Sequence, residues 1–431
     1  MAEYCLREFG LMVQGVREDD SMDVCGIASP AAWKFFESLA FSGAKEDRFI
    51  EIARHAGGKA LRVKNFVGVI GAPDGTQVEI LPKTSEGAQD LGSTRDMLWK
   101  MLGAVENLHH LETTQAQLRL RDAPMTEALM SVFLDHVAAL GRRGIRRDYE
   151  RVEEEERFLR GRLRVARQMQ TPPGRQHLFP IEYDLFSENR AENRLLHAAL
   201  LKVARTSKTP KNQRLARELR HSFGAVPASV SHQADFAAWR TGRDMVHYQP
   251  VLPWIRLILN RQCPFSLRDQ HAGVSFLFPM EKLFEKYVAK VLERRLASLR
   301  IAVHTHVRTR YLAEAPQAFQ LKPDLILSRA GEWLAVLDTK WKLIDRRNAY
   351  ADGSEDPKAG IAQSDMYQLF AYGHKYLGGE GRLALIFPKW TGFAEPLPPF
   401  RLGDKLWLEV IPFDLGSDAC VLGKELLGIA L

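Results

Sequence analysis

Residues 321–343, LKPDLILSRAGEWLAVLDTKWKL, constrain this chain more than any other stretch. Two short apolar runs flank Arg-Ala-Gly, a pattern that predicts two strands joined by a turn at Ser328–Glu332. Each run carries one acid that packing does not call for: Asp324 at the start of the first, Asp338 near the end of the second. Lys340 follows Asp338 by two residues, and strand side chains repeat every two, so both leave the same face. A hairpin therefore brings Asp324, Asp338 and Lys340 together.

Two carboxylates beside an ammonium form a divalent-metal site with a charge next to it. Mg²⁺ takes hard oxygen ligands and is usually held by one or two carboxylates together with substrate phosphate. Such an ion acidifies a bound water and stabilises charge building on phosphate oxygens, which suits phosphodiester hydrolysis. Lys340 would position or deprotonate the attacking water, or neutralise the developing charge. A lone D-x-K would more often be a strand-end ion pair beside a turn-capping Asp. Here Lys322-Pro323-Asp324, the thirteen-residue gap to Asp338 and the apolar strands around both acids favour the metal site.

Pro323-Asp324 followed by Asp338-Thr339-Lys340 resembles the PD-(D/E)xK nuclease signature, with Asp in place of the commoner Glu. Downstream, Asp365-Met-Tyr-Gln368-Leu-Phe-Ala-Tyr372 resembles the Q-x-x-x-Y motif of the RecB-like branch. Upstream, the segment from Phe278 through Glu281 and Glu285 to Tyr287 resembles the acidic first helix of the same core. With FVGVI and VEILPK in residues 60–83, FLRGRL from Phe158, and the segment from Asp184 through Asn193, the chain resembles McrC, the nuclease subunit of McrBC modification-dependent restriction systems.

That resemblance implies an α/β restriction-endonuclease-like domain over 266–431. Asp324, Asp338 and the Thr339 carbonyl would hold Mg²⁺, Lys340 would act on the water, and Gln368 and Tyr372 would support. Glu285 matches the first-helix acid and would bind the metal directly or through water, whereas Glu281 reads as an ordinary solvated acid. The resemblance also implies that residues 1–260 engage an AAA+ GTPase hexamer (McrB-like), stimulate its hydrolysis and leave recognition of 5-methylcytosine in double-stranded DNA to it. Two other readings stay open: an assembly factor or GTPase activator with an inactive nuclease fold, and a stand-alone RecB-like repair nuclease.

The remaining sequence divides into an α+β region at 1–110 and a mostly helical region at 111–265, with the main boundary at 262–272. Ser29-Pro30 reads as the cap and first position of a helix reaching Leu39. Pro73-Asp74-Gly75 turns a hairpin, and Gly68 and Gly71 mark a bulge or a close backbone approach. Arg142, Arg143, Arg146 and Arg147 precede Glu150 and Glu153–Glu156, read as solvated charge blocks rather than a phosphate contact. Asn193 is read as structural as readily as functional. Ile301–Arg310 alternates like a strand, with His304 and His306 on an exposed edge. A buried strand at Arg382–Pro388 and another at Leu406–Ile411 complete an expected α-β-β-β-α-β order. A charged loop at Asp345–Gly360 is expected to lie over the DNA.

Charge and cysteine content exclude several classes. The net charge of +7, from 60 basic and 53 acidic residues, is weakly consistent with a polyanion. Cys5, Cys25, Cys263 and Cys420 are scattered, which argues against a disulfide framework, a zinc site or an iron–sulfur cluster. Gly57-Gly58-Lys59-Ala60 and Gly423-Lys424-Glu425 both fail the Walker A pattern, so no P-loop hydrolysis is expected of this chain, and the McrC resemblance implies that such activity sits in a partner. Nothing approaches eighteen consecutive apolar residues and the first ten residues lack a signal-peptide core, so no membrane is expected and a cytoplasmic protein is the default.

Overall fold

The structure is a computed structural model that describes residues 3–17, 21–41, 48–84, 91–105, 124–259, 276–347, 358–420, 422–423 and 426–427. The chain forms two compact units, one built from residues 1–122 and 262–431 and the other from 123–261. The expected boundary at 262–272 and most of the charged loop at 345–360 lie outside the described residues.

The first part of the larger unit is strand-rich: β1 (Glu3–Arg7), β2 (Leu11–Gln14), β3 (Val24–Ile27), β4 (Ile50–His55), β5 (Gly58–Val63), β6 (Phe66–Gly71) and β7 (Gln77–Leu81), with α1 (Pro30–Leu39) after β3 and α2 (Leu91–Val105) after β7. The Ser29 side chain accepts from Ala32 N and so begins α1, as the Ser-Pro pair predicts. Trp33, Phe36 and Leu39 of α1 join Leu6, Met12, Phe49, Ile70 and Ile80 in one apolar core. The 60–83 stretch proves to be three strands rather than a single hairpin. Backbone turns at Lys64-Asn65 pass the chain from the β3-β2-β5-β4 sheet into β6 and β7 of another.

In the smaller unit, α3 (Met125–Arg143), α4 (Ala191–Thr206), α5 (Pro210–His221) and α6 (Leu252–Leu259) supply much of the buried surface, including Phe133, Leu196, Leu200, Trp254 and Ile258. Within this stretch, expected to be mostly helical, β8 (Asp148–Glu156) and β10 (Phe179–Ser187) instead run antiparallel as nine-residue strands. β9 (Arg162–Leu163) pairs along β10. The acidic run lies in a nine-residue backbone ladder, and exposed ion pairs relieve part of its charge: Arg164 pairs with Glu153 and Arg167 with Glu155, while Arg151 of β8 reaches Glu182 at 3.2 Å. Asn193, fully buried, donates to the carbonyls of Arg146 and Glu188 at 2.8 Å and accepts from the Tyr248 hydroxyl at 2.7 Å. Its observed work is structural, closing polar groups that burial would otherwise leave unpaired.

The larger unit resumes with β11 (Phe276–Pro279), α7 (Met280–Leu296), β12 (Ala302–Thr305), β13 (Tyr311–Glu314), β14 (Gln317–Gln320), β15 (Leu325–Arg329), β16 (Glu332–Thr339), α8 (Gln363–Leu377), β17 (Glu380–Pro388), β18 (Phe400–Arg401) and β19 (Lys405–Asp414). β11 does not start a separate body. It closes the β1-β7-β6-β11 sheet by pairing with β6 and then runs straight into α7. The approach is close at Gly68, where φ is +125° and a Cβ would lie 1.9 Å from the Phe276 carbonyl oxygen, so only glycine fits. β12, β15, β16, β17, β19 and β18 follow one another across a further sheet, with α8 packed on β16 and β17. β15–β16 is antiparallel, whereas β16–β17 and β17–β19 are parallel, giving a mixed α/β layer. The expected strand at 301–310 stops at Thr305, because His306 takes a left-handed φ of +56°. His304 donates to or accepts from Ser328 Oγ at 2.7 Å and packs edge-on against Trp333, so it is no exposed metal ligand.

One buried contact joins the two sequence halves of this unit. Glu8, only 1% exposed, accepts from Trp341 Nε1 at 3.0 and 3.1 Å and from the Lys83 backbone N–H at 2.9 Å. Burial pushes its carboxyl up to about 8 from 4.5, outweighing those hydrogen bonds. The folded chain thus keeps a proton there that the unfolded chain releases, so this stabilisation is complete below about pH 4.5 and is lost as pH rises through about 8. Glu8→Gln should flatten that part of the pH dependence. Because one pH unit is worth about 1.4 kcal/mol, the wild type should lose a few kcal/mol relative to the variant between pH 5 and 8. Thermal unfolding of both proteins across that range measures it; parallel curves would remove Glu8 as the source.

Candidate active site

The β15–β16 hairpin turns at Ala330-Gly331, both with positive φ (53° and 88°), within the span the sequence predicts. Its pairing ends with Leu325 opposite Leu337, so the acids Asp324 and Asp338 stand one step further along the two strands. Asp324 Oδ2 accepts from both Thr339 N and Thr339 Oγ1 at 2.8 Å, which ties the start of one strand to the end of the other. Thr339 is thereby a brace for Asp324.

Asp338 is 1% exposed, and neither carboxylate oxygen accepts a hydrogen bond. Lys340 Nζ stands 2.8 Å from Asp338 Oδ2, a close ion pair whose alignment is not that of a hydrogen bond. Burial, then the neighbouring Asp324, push the Asp338 carboxyl up to about 7, against the pull of Lys340. Apart from the Lys340 ammonium, a buried carboxylate that accepts no hydrogen bond could take a further cation. Burial disfavours the Lys340 ammonium, yet Asp338 and then Asp365 more than compensate, and its pKa is raised.

Lys340 is held from α8 as well. Its Nζ donates to Gln368 Oε1 at 3.3 Å, Gln368 Nε2 donates to the Tyr372 hydroxyl at 2.7 Å, and Tyr372 donates to the Lys322 carbonyl at 3.0 Å. The i, i+4 spacing of Gln368 and Tyr372 is what lets one helix face carry this chain of bonds back to the residue two before Asp324. Both side chains are engaged with protein groups and position the lysine. Asp365 of the same helix lies 3.8 Å from Lys340 Nζ, a contact visible in the motif only as one more acid on that face.

Glu285 enters from α7. Every residue of the predicted apolar stripe, 280, 283, 284, 287, 288, 291 and 292, is buried, and Glu285 lies half-buried beside it while Glu281 is exposed. Burial, then Asp324, then Asp338 push the Glu285 carboxyl up to about 7, which places it within electrostatic reach of both acids. Among the described residues, no three His, Cys, Asp or Glu side chains are gathered closely enough to hold an ion by themselves. A hard cation placed here would need water or substrate oxygens beside these acids, since they form no protein-only cage. Trp341, next to Lys340, is fixed by Glu8; no local sequence signal announces that contact, because the partners are 333 residues apart.

Residues 61–388 match the family model described as McrBC 5-methylcytosine restriction system component. The chain belongs to that family. No curated protein matches it. Among solved structures, it is similar to a chain of the tetradecameric assembly of Thermococcus gammatolerans McrB AAA+ hexamers with bound McrC. That match has a TM-score of 0.66 at 17% identity, covering 99% of this chain and 98% of that one. A second match, to the Thermococcus gammatolerans McrBC complex, has a TM-score of 0.48 at 19% identity, covering 72% and 90%. Among the described residues no helix is long and apolar enough to cross a membrane.

Proposed function

We propose that this chain is the McrC-type endonuclease subunit of a modification-dependent restriction complex, with a PD-(D/E)xK core formed by α7, β12, β15, β16, α8 and β17. The observation that carries this reading is the buried Asp338 carboxylate, short of hydrogen-bond donors, beside Asp324 and a lysine held from a second element. Asp324 and Asp338, with the Thr339 carbonyl, would hold Mg²⁺, and Glu285 would reach it through water. When bound, that ion supplies Lewis-acid stabilisation of phosphate charge and an acidified water. Lys340 orients the attacking water or meets the charge developing on the phosphate, while Gln368, Tyr372 and Asp365 keep the ammonium in place.

A McrB-like AAA+ GTPase hexamer would recognise 5-methylcytosine in duplex DNA, and this chain would stimulate its GTP hydrolysis. A partner-facing role for residues 1–260 is supported by the apolar side chains along the β8–β10 hairpin and the segments beside it. Phe158, Leu159, Met169, Tyr149 and Phe186 are 79%, 63%, 83%, 70% and 54% exposed, more than a solitary surface would leave uncovered. Methylated duplex incubated with this chain, its GTPase partner, GTP and Mg²⁺ should be cut, and omission of Mg²⁺ should stop cutting. Stimulated GTP hydrolysis without any cleavage would instead identify an assembly factor with an inactive nuclease fold.

A further inference from the structure

The segment from Leu200 to His221 carries Lys202, Arg205, Lys208, Lys211, Arg214, Arg217 and Arg220, a cation at every third residue, against the single acid Glu218. That excess of six nearly equals the +7 of the whole chain. Within the run, Lys202 Nζ donates to the Ile258 carbonyl at 2.6 Å, and Arg214 pairs with Glu218 at 2.8 Å. Arg205 of α4 and Arg217, Arg220 and His221 of α5 line one cavity of about 350 Å³, whose remaining wall is Leu201 and Ala204. All four polar side chains are exposed, and among the described residues none of the three guanidiniums pairs with a carboxylate.

Three guanidiniums brought together without an acid repel one another, and the fold gains nothing from the arrangement unless an anion joins it. Each guanidinium presents a planar fork of donors that matches phosphate oxygens two at a time. The helical spacing of Arg217 with Arg220 and His221 keeps them on neighbouring turns, and Arg205 faces them from the adjoining helix. The cavity has room for a phosphate, with the adjoining sugar against Leu201 and Ala204, and phosphate contacts of this kind carry no sequence information.

We propose that the Arg205–Arg217–Arg220 cavity binds the phosphodiester backbone of duplex DNA without sequence preference. It would serve as a second anchoring point in the unit that does not contain the acidic site. The choice of DNA rests on the nuclease reading above, but binding can be measured without cleavage. The probe is an unmodified 30-base-pair duplex, labelled for fluorescence anisotropy and titrated with the full chain in EDTA across roughly 50–200 mM NaCl. Arg205→Gln/Arg217→Gln/Arg220→Gln should weaken binding about tenfold or more and lower the slope of log affinity against log salt by about two to three, one for each phosphate no longer neutralised. A control that removes three exposed charges elsewhere in the same unit, Arg142→Gln/Arg143→Gln/Arg243→Gln, should leave the slope near wild type. Unchanged melting temperatures confirm that both triple variants are folded.

Equal losses in the two triple variants would reduce the effect to net charge and overturn the proposal, as would no duplex binding by the wild-type chain. Loss of binding to free GTP or inorganic phosphate with duplex affinity intact would overturn it too, and so would loss of association with the GTPase partner alone. A chain that binds duplex through these arginines yet never cuts it would leave this inference standing and remove the nuclease reading.

Discussion

Lys340→Ala, assayed on methylated duplex with the GTPase partner and Mg²⁺, should cut at least about 10²-fold more slowly than wild type, within the 10²–10⁴ range for a lost proton-transfer or charge-stabilising group. Asp338→Asn should be at least as severe, since it would remove a proposed metal ligand while keeping the side-chain volume at a residue that is 1% exposed. Loss of activity alone would not separate chemistry from collapse, but stability does. The Asp338 carboxyl is pushed up to about 7 in the folded chain, so its contribution to stability is present at low pH and is lost as pH rises through about 7. Asparagine does not suffer that penalty. In metal-free buffer at pH 8, Asp338→Asn should therefore melt at or above the wild-type temperature while cutting is abolished, the exchange expected where a site is built at the expense of stability. Wild-type cutting by either variant would remove these residues from the chemistry.

Metal affinity should rise steeply between about pH 6 and 8. Burial, and then the neighbouring Asp324, push Asp338 and Glu285 both up to about 7, so below that pH a cation would have to displace protons to enter. The two acids repel one another and share Asp324 as neighbour, so they titrate as a coupled set. Affinity should grow by up to about tenfold per pH unit below pH 7 for each proton released and level off above about pH 8. Calorimetry of Mg²⁺ binding in buffers of different ionisation enthalpy reads the proton count directly, without any cleavage assay. A pH-independent affinity would mean that the acids already stand charged and that the ion binds elsewhere.

The acidic site was largely legible in the sequence because its parts are local. Asp324, Asp338 and Lys340 sit on one hairpin, where a two-residue period settles which side chains meet, and Gln368 and Tyr372 sit on one helix, where a 3.6-residue period does the same. What those periods cannot give is the partner of each polar atom. Gln368 and Tyr372 read only as supporting groups, and the structure gives their partners as Lys340 and the Lys322 carbonyl. Glu8 was invisible for a different reason: its partner Trp341 is brought to it by two sheets that no local pattern describes. The β8–β10 hairpin was missed because a run of glutamates has no apolar alternation. Ion pairs from Arg151, Arg164 and Arg167 relieve part of the ladder's charge only once it has formed. The division into 1–122 with 262–431 likewise depends on β11 reaching back to β6, a pairing between segments about two hundred residues apart.

That return of the chain has a mechanical result. Phe278 is paired to Val67, and two residues later α7 begins, with Glu285 on its second turn. Glu8, in the turn just after β1 of the same sheet, holds the tryptophan beside Lys340. Both groups that flank the acidic pair are thus leashed to one rigid panel, with no slack segment between panel and leash. A push on that panel would be felt at the acidic site as a change in alignment, and a fragment starting at residue 276 would carry all the acids with neither leash to hold them true.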